Sequence, residues 1–381
     1  MRESPVSETV PCYHGGAFFE AIGDGFDDLE RRHSIINADV LDAWFSPAPG
    51  VLEALHGSLD WLARTSPPTN CEGLIRAISR TRGIPVECVL PGAGSSDLVF
   101  RAFRHWLTPA SRVLLLDPTY GEYVHVCQHV VGCHVERLPL ERTAHYRLDM
   151  AQLHARLQFG GYDLVVIVNP NNPTGQHVPR EALEKALRNV PLATKVWLDE
   201  AYLEYVGADQ SLEQFATQTA NVVVCKSLSK VYALSGMRAA YLCGAADVIE
   251  PLRRWTPPWV IGLPAQVAAV KALEAPAYYQ SRYDETRDLR RQFVAGLRRL
   301  RPGWDLLESK ANFVLCHLPK SGPTAAMLIE QCRERGLYLR DVEGMGTRMG
   351  GHTLRIAVKD GATQERMLAL MANGQRKLAG K

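Results

Sequence analysis

The sequence predicts an α/β protein whose sheet is mainly parallel. Three features predict it. Short, wholly apolar, β-branched runs recur through the middle of the chain. Amphipathic stretches of helical spacing separate them. Each run ends in polar or turn-forming residues. In order, the runs are 88–90, ending in Pro91-Gly92; 113–116, ending in Asp117-Pro118; 164–168, ending in Asn169-Pro170; 196–198, ending in Asp199-Glu200; 222–224, ending in Cys225-Lys226-Ser227; and 239–243, ending at Gly244. Such runs read as strands buried on both faces, with helices such as 98–107 and 180–189 between them.

The last third changes character. A helix-rich stretch, 265–300, carries a charged face in Arg287, Asp288, Arg290 and Arg291. A strand at 312–316, a helix at 324–335, strands at 337–340 and 353–358 and a helix from Thr363 follow. That order predicts a second, smaller α+β domain. The expected division is an N-terminal segment, 1–45, packing with the small domain; a large domain, 46–285; and the small domain, 286–381.

The composition bounds the function. A chain of 381 residues suits about two domains. Its formal net charge of +2 gives no field for nucleic acid. No apolar run reaches the ~18 residues of a membrane span, and the polar start with Glu3 and Glu8 is unlike a signal peptide. Nine cysteines is an odd count with no CxxC spacing. Small core residues in a cytoplasmic protein are expected, with neither a metal site nor a disulfide framework.

Open α/β sheets bind ligands at the carboxyl ends of their strands, so those ends are read as one pocket. Pro91-Gly92-Ala93-Gly94-Ser95-Ser96-Asp97 follows one strand and opens a helix. It is either a Ser-capped helix or a cup for one phosphate; the P-loop lysine and the three-glycine dinucleotide fingerprint are both missing. Asn169-Pro170-Asn171-Asn172-Pro173-Thr174-Gly175 is a rigid turn that can hold an amide at a strand end. Asp199 ends an apolar strand and is expected to be buried, either capping a helix or facing a cation, with the Tyr202 phenol nearby. Lys230, in Ser227-Leu228-Ser229-Lys230, follows a buried strand; a desolvated lysine loses its proton readily and forms imines. Ser227, Ser229 and Arg238 are natural phosphate ligands beside it. The order of these pieces, with Tyr120 among them, matches the needs of pyridoxal 5′-phosphate (PLP): a phosphate cup, a ring clamp, a ligand for the phenolic oxygen, an anion at the ring nitrogen and an amine.

The whole chain resembles the class I/II aminotransferases of PLP fold-type I. The resemblance rests on Asn171-Asn172-Pro173-Thr174-Gly175, Asp199-Glu200-Ala201-Tyr202 and Ser227-x-Ser229-Lys230 with Arg238. Within that family it is similar to histidinol-phosphate aminotransferase and threonine-phosphate decarboxylase. His14-Gly15-Gly16 looks like the decarboxylase's start, and Leu339-Arg340-Asp341 with Leu354-Arg355-Ile356 looks like both. The resemblance implies a large domain with a seven-stranded sheet flanked by helices and a homodimer with its active site at the interface. It implies PLP as a Schiff base on Lys230, Asp199 at the ring nitrogen and Tyr120 stacked on the ring. Asn172 and Tyr202 would meet the phenolic oxygen, and Gly94, Ser95, Ser227, Ser229 and Arg238 the phosphate. Arg355 would clamp the substrate carboxylate; Arg340 and His14 would meet a second anionic group.

Two departures stand out. Relatives carry a tyrosine that crosses to the partner's phosphate site, and the matching stretch here, Arg64-Thr65-Ser66-Pro67-Pro68-Thr69-Asn70, has none. Asp39-Val40-Leu41-Asp42-Ala43-Trp44-Phe45 replaces a more Asn-rich segment; the aromatic pair is either core or substrate box. The expected activity is amino transfer on a small-molecule amino acid substrate, one with a second anionic group (phosphate, phosphonate or carboxylate) being the favoured class. The alternatives are a decarboxylase or a β/γ-elimination or replacement enzyme on the same cofactor.

Overall fold

The computed structural model describes residues 14–23 and 25–372. The first strand, β1 (Ile36–Asn37), lies outside the main sheet. The next seven are β2 (Val89–Gly92), β3 (Arg112–Asp117), β4 (His134–Pro139), β5 (Leu164–Val168), β6 (Lys195–Asp199), β7 (Val222–Ser227) and β8 (Ala240–Cys243). They form one sheet in the order β2-β8-β7-β6-β5-β3-β4. Its middle is parallel, and only the β8 pairings are antiparallel. The α/β fold with a mainly parallel seven-stranded sheet is therefore as the sequence predicts.

Side chains alternate across each strand and divide between two cores. Leu114, Leu116, Val165, Ile167, Val196, Leu198, Val222 and Val224 pack into one. Val113, Leu115, Leu164, Val166, Trp197, Val223 and Cys225 pack into the other. All eight cysteines among the described residues are buried and unpaired. Strand β4 has no counterpart in the predicted runs. It is an edge strand with a half-buried, mixed sequence (His134, Glu136, Arg137), so it lacks the apolar signature of the central strands.

The registers bring the strand ends level. Val168 pairs with Asp199, and Asp199 with Cys225. Ala240, which begins the reversed strand β8, pairs with both Gly92 and Ser227. Arg238, two residues before β8, therefore sits at the same edge as the carboxyl ends of β2 and β7.

Strands β9 (Asp305–Leu306), β10 (Phe313–His317), β12 (Arg340–Asp341) and β13 (Thr353–Ala357) make an antiparallel sheet in the order β12-β13-β10-β9, and β11 (Leu337–Tyr338) pairs in parallel with β1. The expected single strand at 337–340 is thus broken at Leu339, its halves serving different sheets. The expected helical stretch 265–300 is two helices, Leu263–Leu273 and Pro276–Leu300. Pro276 has no N–H to continue the first helix and suits the opening turn of the second. No described helix is long and apolar enough to cross a membrane.

Candidate active site

A cavity of about 410 Å³ lies at the carboxyl edge of the large sheet. Its walls include His14, Ser95, Tyr120, Asn172, Asp199, Tyr202, Ser227, Ser229, Lys230, Arg238, Arg340 and Arg355. Of the site residues read from the sequence, only Gly94 is not on the wall. It lies against Arg238, since a Cβ built on Gly94 would come within 2.5 Å of Arg238 Nη2.

The helix Ser95–Trp106 starts at Gly94, whose φ of 92° suits glycine, and no side chain caps it. The Ser-capped alternative is therefore not what forms, and the first N–H groups keep their capacity for an anion. Arg238 donates from Nη1 to Ser229 Oγ at 3.2 Å and to the Ser235 carbonyl at 3.0 Å. Ser227 Oγ accepts the Ser229 N–H at 3.3 Å.

Asp199 is buried, as expected. Its Oδ2 accepts the Tyr123 hydroxyl at 2.7 Å, and its Oδ1 accepts the Ala201 N–H at 3.0 Å. Trp197 Nε1 donates to Tyr123 Oη at 3.0 Å. Burial pushes the Asp199 carboxyl up, and these two bonds only partly oppose it.

Lys230 Nζ lies 3.1 Å from Asp42 Oδ1. Burial pushes its ammonium down; Asp42 opposes this, and Arg238 and Arg355 add to it. Lys226, four residues earlier, has the opposite setting. It lies 2.9 Å from Glu204 and 3.1 Å from Glu200, and although burial works against its charge, Glu204, Glu200 and Glu213 hold its ammonium well above the ordinary lysine range.

Arg355 is buried. It donates from Nη1 to Asn172 Oδ1 at 2.6 Å and from Nη2 to the Asp39 carbonyl at 2.9 Å, and it lies over the Phe313 ring. A guanidinium only donates, so the contact fixes the Asn172 amide with its oxygen toward Arg355. Arg340 pairs with Asp39, not with its neighbour Asp341, at 3.6 Å; Asp341 accepts the Glu343 N–H instead. Asp39 Oδ2 also accepts the Gly16 N–H at 2.9 Å, tying the segment that carries His14 to the pocket. Trp44 and Phe45 are not on the cavity wall. Trp44 Nε1 donates to Thr286 Oγ1, and Phe45 packs on Tyr279 and Tyr283.

The sequence reading missed Glu122. Its buried Oε2 collects the Tyr120 hydroxyl at 2.8 Å, the Ser96 hydroxyl at 3.0 Å and His14 Nε2 at 2.9 Å. Burial works to raise this carboxyl, but the bonds from His14, Ser96 and Tyr120 outweigh it and hold it below its ordinary value. Tyr123 was missed as well. The signal for both was the spacing Tyr120-Gly121-Glu122-Tyr123 just past a strand end, in a short helical turn whose side chains meet the wall residues Tyr120 and Asp199.

This donor set fits PLP. The uncapped helix, the Gly94 backbone and the Arg238 guanidinium converge where a phosphate can bind. A protonated ring nitrogen would reverse the upward push on Asp199. Lys230 is the lysine on the cavity wall, and burial pushes it toward the neutral amine. Fold and site together define a PLP-dependent transferase. The chain belongs to the family aminotransferase class I and II, which matches residues 63–372. It is 31% identical over 354 residues to a histidinol-phosphate aminotransferase of Anaeromyxobacter sp., covering 92% of this chain and 94% of that one. Its fold matches the histidinol-phosphate aminotransferase of Sinorhizobium meliloti in complex with pyridoxal-5'-phosphate at a TM-score of 0.80, with 23% identity, over 92% of this chain and 94% of that one. It also matches the L-threonine-O-3-phosphate decarboxylase of Porphyromonas gingivalis at 0.78, with 20% identity, over 91% and 100%.

Proposed function

We propose that this aminotransferase acts on an amino acid or related amine bearing a second anionic group, with PLP held on Lys230. The observation that carries the substrate class is the pair Arg340 and Arg355, which stand directly opposite each other on antiparallel strands and both reach the cavity. One guanidinium suffices for an α-carboxylate. The second, with His14 on the adjoining segment, suits a phosphate, phosphonate or further carboxylate. The named activity of the Anaeromyxobacter relative, on histidinol phosphate, supports the same class.

The residue roles follow from the donor set. Ser95, Ser227, Ser229 and Arg238 would hold the cofactor phosphate against the Gly94 backbone. Asp199 would keep the ring nitrogen protonated, and Tyr120 would cover the ring. Asn172, with its oxygen turned to Arg355, would offer its NH2 to the phenolic oxygen beside the Tyr202 hydroxyl. When bound, PLP supplies an electron sink for a carbanion at the substrate Cα. Lys230, once released by substrate, would move the proton at that carbon. Arg355 would orient the substrate through its carboxylate.

We further propose a cytoplasmic homodimer, divided near residues 45 and 285 as the sequence suggests. The buried free thiols support a reducing compartment. The exposed Trp61, Trp255 and Trp259 support a covered apolar surface. One incubation tests the activity: the purified protein with phosphorylated and dicarboxylic amino acids, with and without 2-oxoglutarate, read by mass spectrometry. A product that keeps its carbons, with glutamate formed, is expected. Loss of CO₂ or of a β-substituent would replace amino transfer with a lyase reading.

A further inference from the structure

Asp42 lies between β1 and the helix Pro49–Arg64, outside the motifs that would bind PLP, yet its carboxylate is the ion-pair partner of Lys230 at 3.1 Å. Both side chains open on the cavity. The charges around this pair come from several elements. Arg238, before β8, and Arg355, on β13, face Lys230. Lys359, just after β13, and the Ser235 hydroxyl face Asp42. Lys359 also feels Lys230 and its neighbour Asp360, and Tyr202 feels both Asp42 and Arg355. The lysine nitrogen thus has one close anion set against the cations Arg238, Arg355 and Lys359.

We propose that Asp42 is the positioning and charge-setting partner of Lys230, holding the proton on the lysine nitrogen and aiming that nitrogen into the pocket. This rests on the reading of Lys230 as the cofactor lysine. An opposite charge at hydrogen-bond distance favours the protonated form, and nearby like charges disfavour it. With the carboxylate in place, the proton stays on the nitrogen to higher pH. With an amide there, the surrounding guanidinium and ammonium groups dominate, and the proton leaves to solvent at lower pH. A geometric role alone would survive the amide, because asparagine can still accept from Nζ. The charge-setting role would not.

Lys359 supplies an independent lever. Burial pushes its ammonium down to about 8, with Asp42 opposing and Lys230 adding to the fall. Removing this cation leaves Asp42 more fully to Lys230, so the two variants should move the proton in opposite directions.

The test is a pH titration of the visible cofactor band of the holoenzyme. Asp42→Asn should lower the midpoint by about one pH unit, a tenfold loss of proton affinity. Asp42→Glu should restore most of it, and Lys359→Met should raise it. An unmoved midpoint in Asp42→Asn overturns the inference while leaving Lys230 as the cofactor lysine. If Asp42→Asn does not yield folded protein, an unmoved or lowered midpoint in Lys359→Met overturns it equally. A wild-type holoenzyme with no band attributable to Lys230 would overturn the reading of the site itself, and the inference with it.

Discussion

Arg340 and Arg355 form a cross-strand pair, and one residue, Asp39, meets both: its carboxylate lies 3.6 Å from Arg340 and its carbonyl accepts from Arg355. Residues directly opposite in an antiparallel pair share a face, where two like charges repel unless an anion lies near. Asp39 supplies such an anion, and a substrate with two anionic groups would add to it. A charge-assisted contact to a distal anion is worth roughly 1.5–3 kcal/mol. Arg340→Ala should therefore lower kcat/KM about ten- to a hundredfold for a dianionic substrate and little for an analogue without the distal charge. Asp39→Asn should shift the preference the other way. Equal losses on both substrates for Arg340→Ala would make Arg340 a structural partner of Asp39.

Two lysines four residues apart make a sharp internal control. Lys226 is sealed among Glu200, Glu204 and Glu213 and stays charged, so it is no nucleophile. Lys230 opens on the cavity and is pushed toward the neutral amine. Borohydride treatment of the holoenzyme should leave a pyridoxyl group on the peptide containing Lys230 and none at Lys226, as read by peptide mass spectrometry. Lys230→Ala should retain part of the cofactor affinity through the phosphate ligands but lose turnover. Label on any other lysine would contradict the assignment.

Much of this was legible because buried parallel strands write themselves as short apolar runs and end at the edge that lines the cavity. Asp199, Lys230 and the Asn172 turn each stand just past such a run. The rest depends on contacts that span the chain. Lys230 and Asp42 are 188 residues apart, and His14 and Glu122 are 108 apart, so no local pattern announces either pair. Asp39 and Asp42 were visible as unusual acids in their segment, but their partners were not. The break at Leu339 was hidden for a similar reason: adjacent residues of one extended stretch pair with β1 and β13, which are more than 300 residues apart in sequence.

His317 should govern part of the acid stability. It is buried on β10, stacks on Tyr146 and shares a hydrogen bond with its hydroxyl at 3.0 Å. Burial pushes its imidazolium down to about 4, with Arg142 adding to the fall and Asp305 opposing. The folded pKa thus lies below the unfolded value of about 6.5. As pH falls from about 6.5 toward 4, the unfolded chain binds a proton that the folded one refuses, and stability drops across that window. The loss should approach 2 kcal/mol between pH 7.5 and 5, on the order of 1.4 kcal/mol per unit. Urea unfolding at the two pH values, compared with His317→Gln, isolates it. The glutamine variant should lose less on acidification, and an equal loss in both proteins would remove His317 as the cause.

Asp199, Tyr123 and Trp197 form a chain of donors ending on one carboxylate, and its variants should separate chemistry from folding. Asp199→Asn keeps an oxygen to accept the Ala201 N–H, and its new NH2 can donate to the Tyr123 oxygen. The fold should therefore hold, with a melting temperature close to wild type. The carboxylate proposed to face the ring nitrogen would be lost, however, and with it the charge that would keep that nitrogen protonated. Turnover should fall by about 10²–10³, the scale of removing one preorganised charge contact. Tyr123→Phe leaves the carboxylate but deletes a bond that favours its ionised form, so a smaller loss, about tenfold, should follow. The order of the two losses is the discriminating result. If Asp199→Asn turns over near the wild-type rate while its melting temperature falls, the carboxylate is a cap for the turn at Ala201, and the ring nitrogen must find its partner elsewhere.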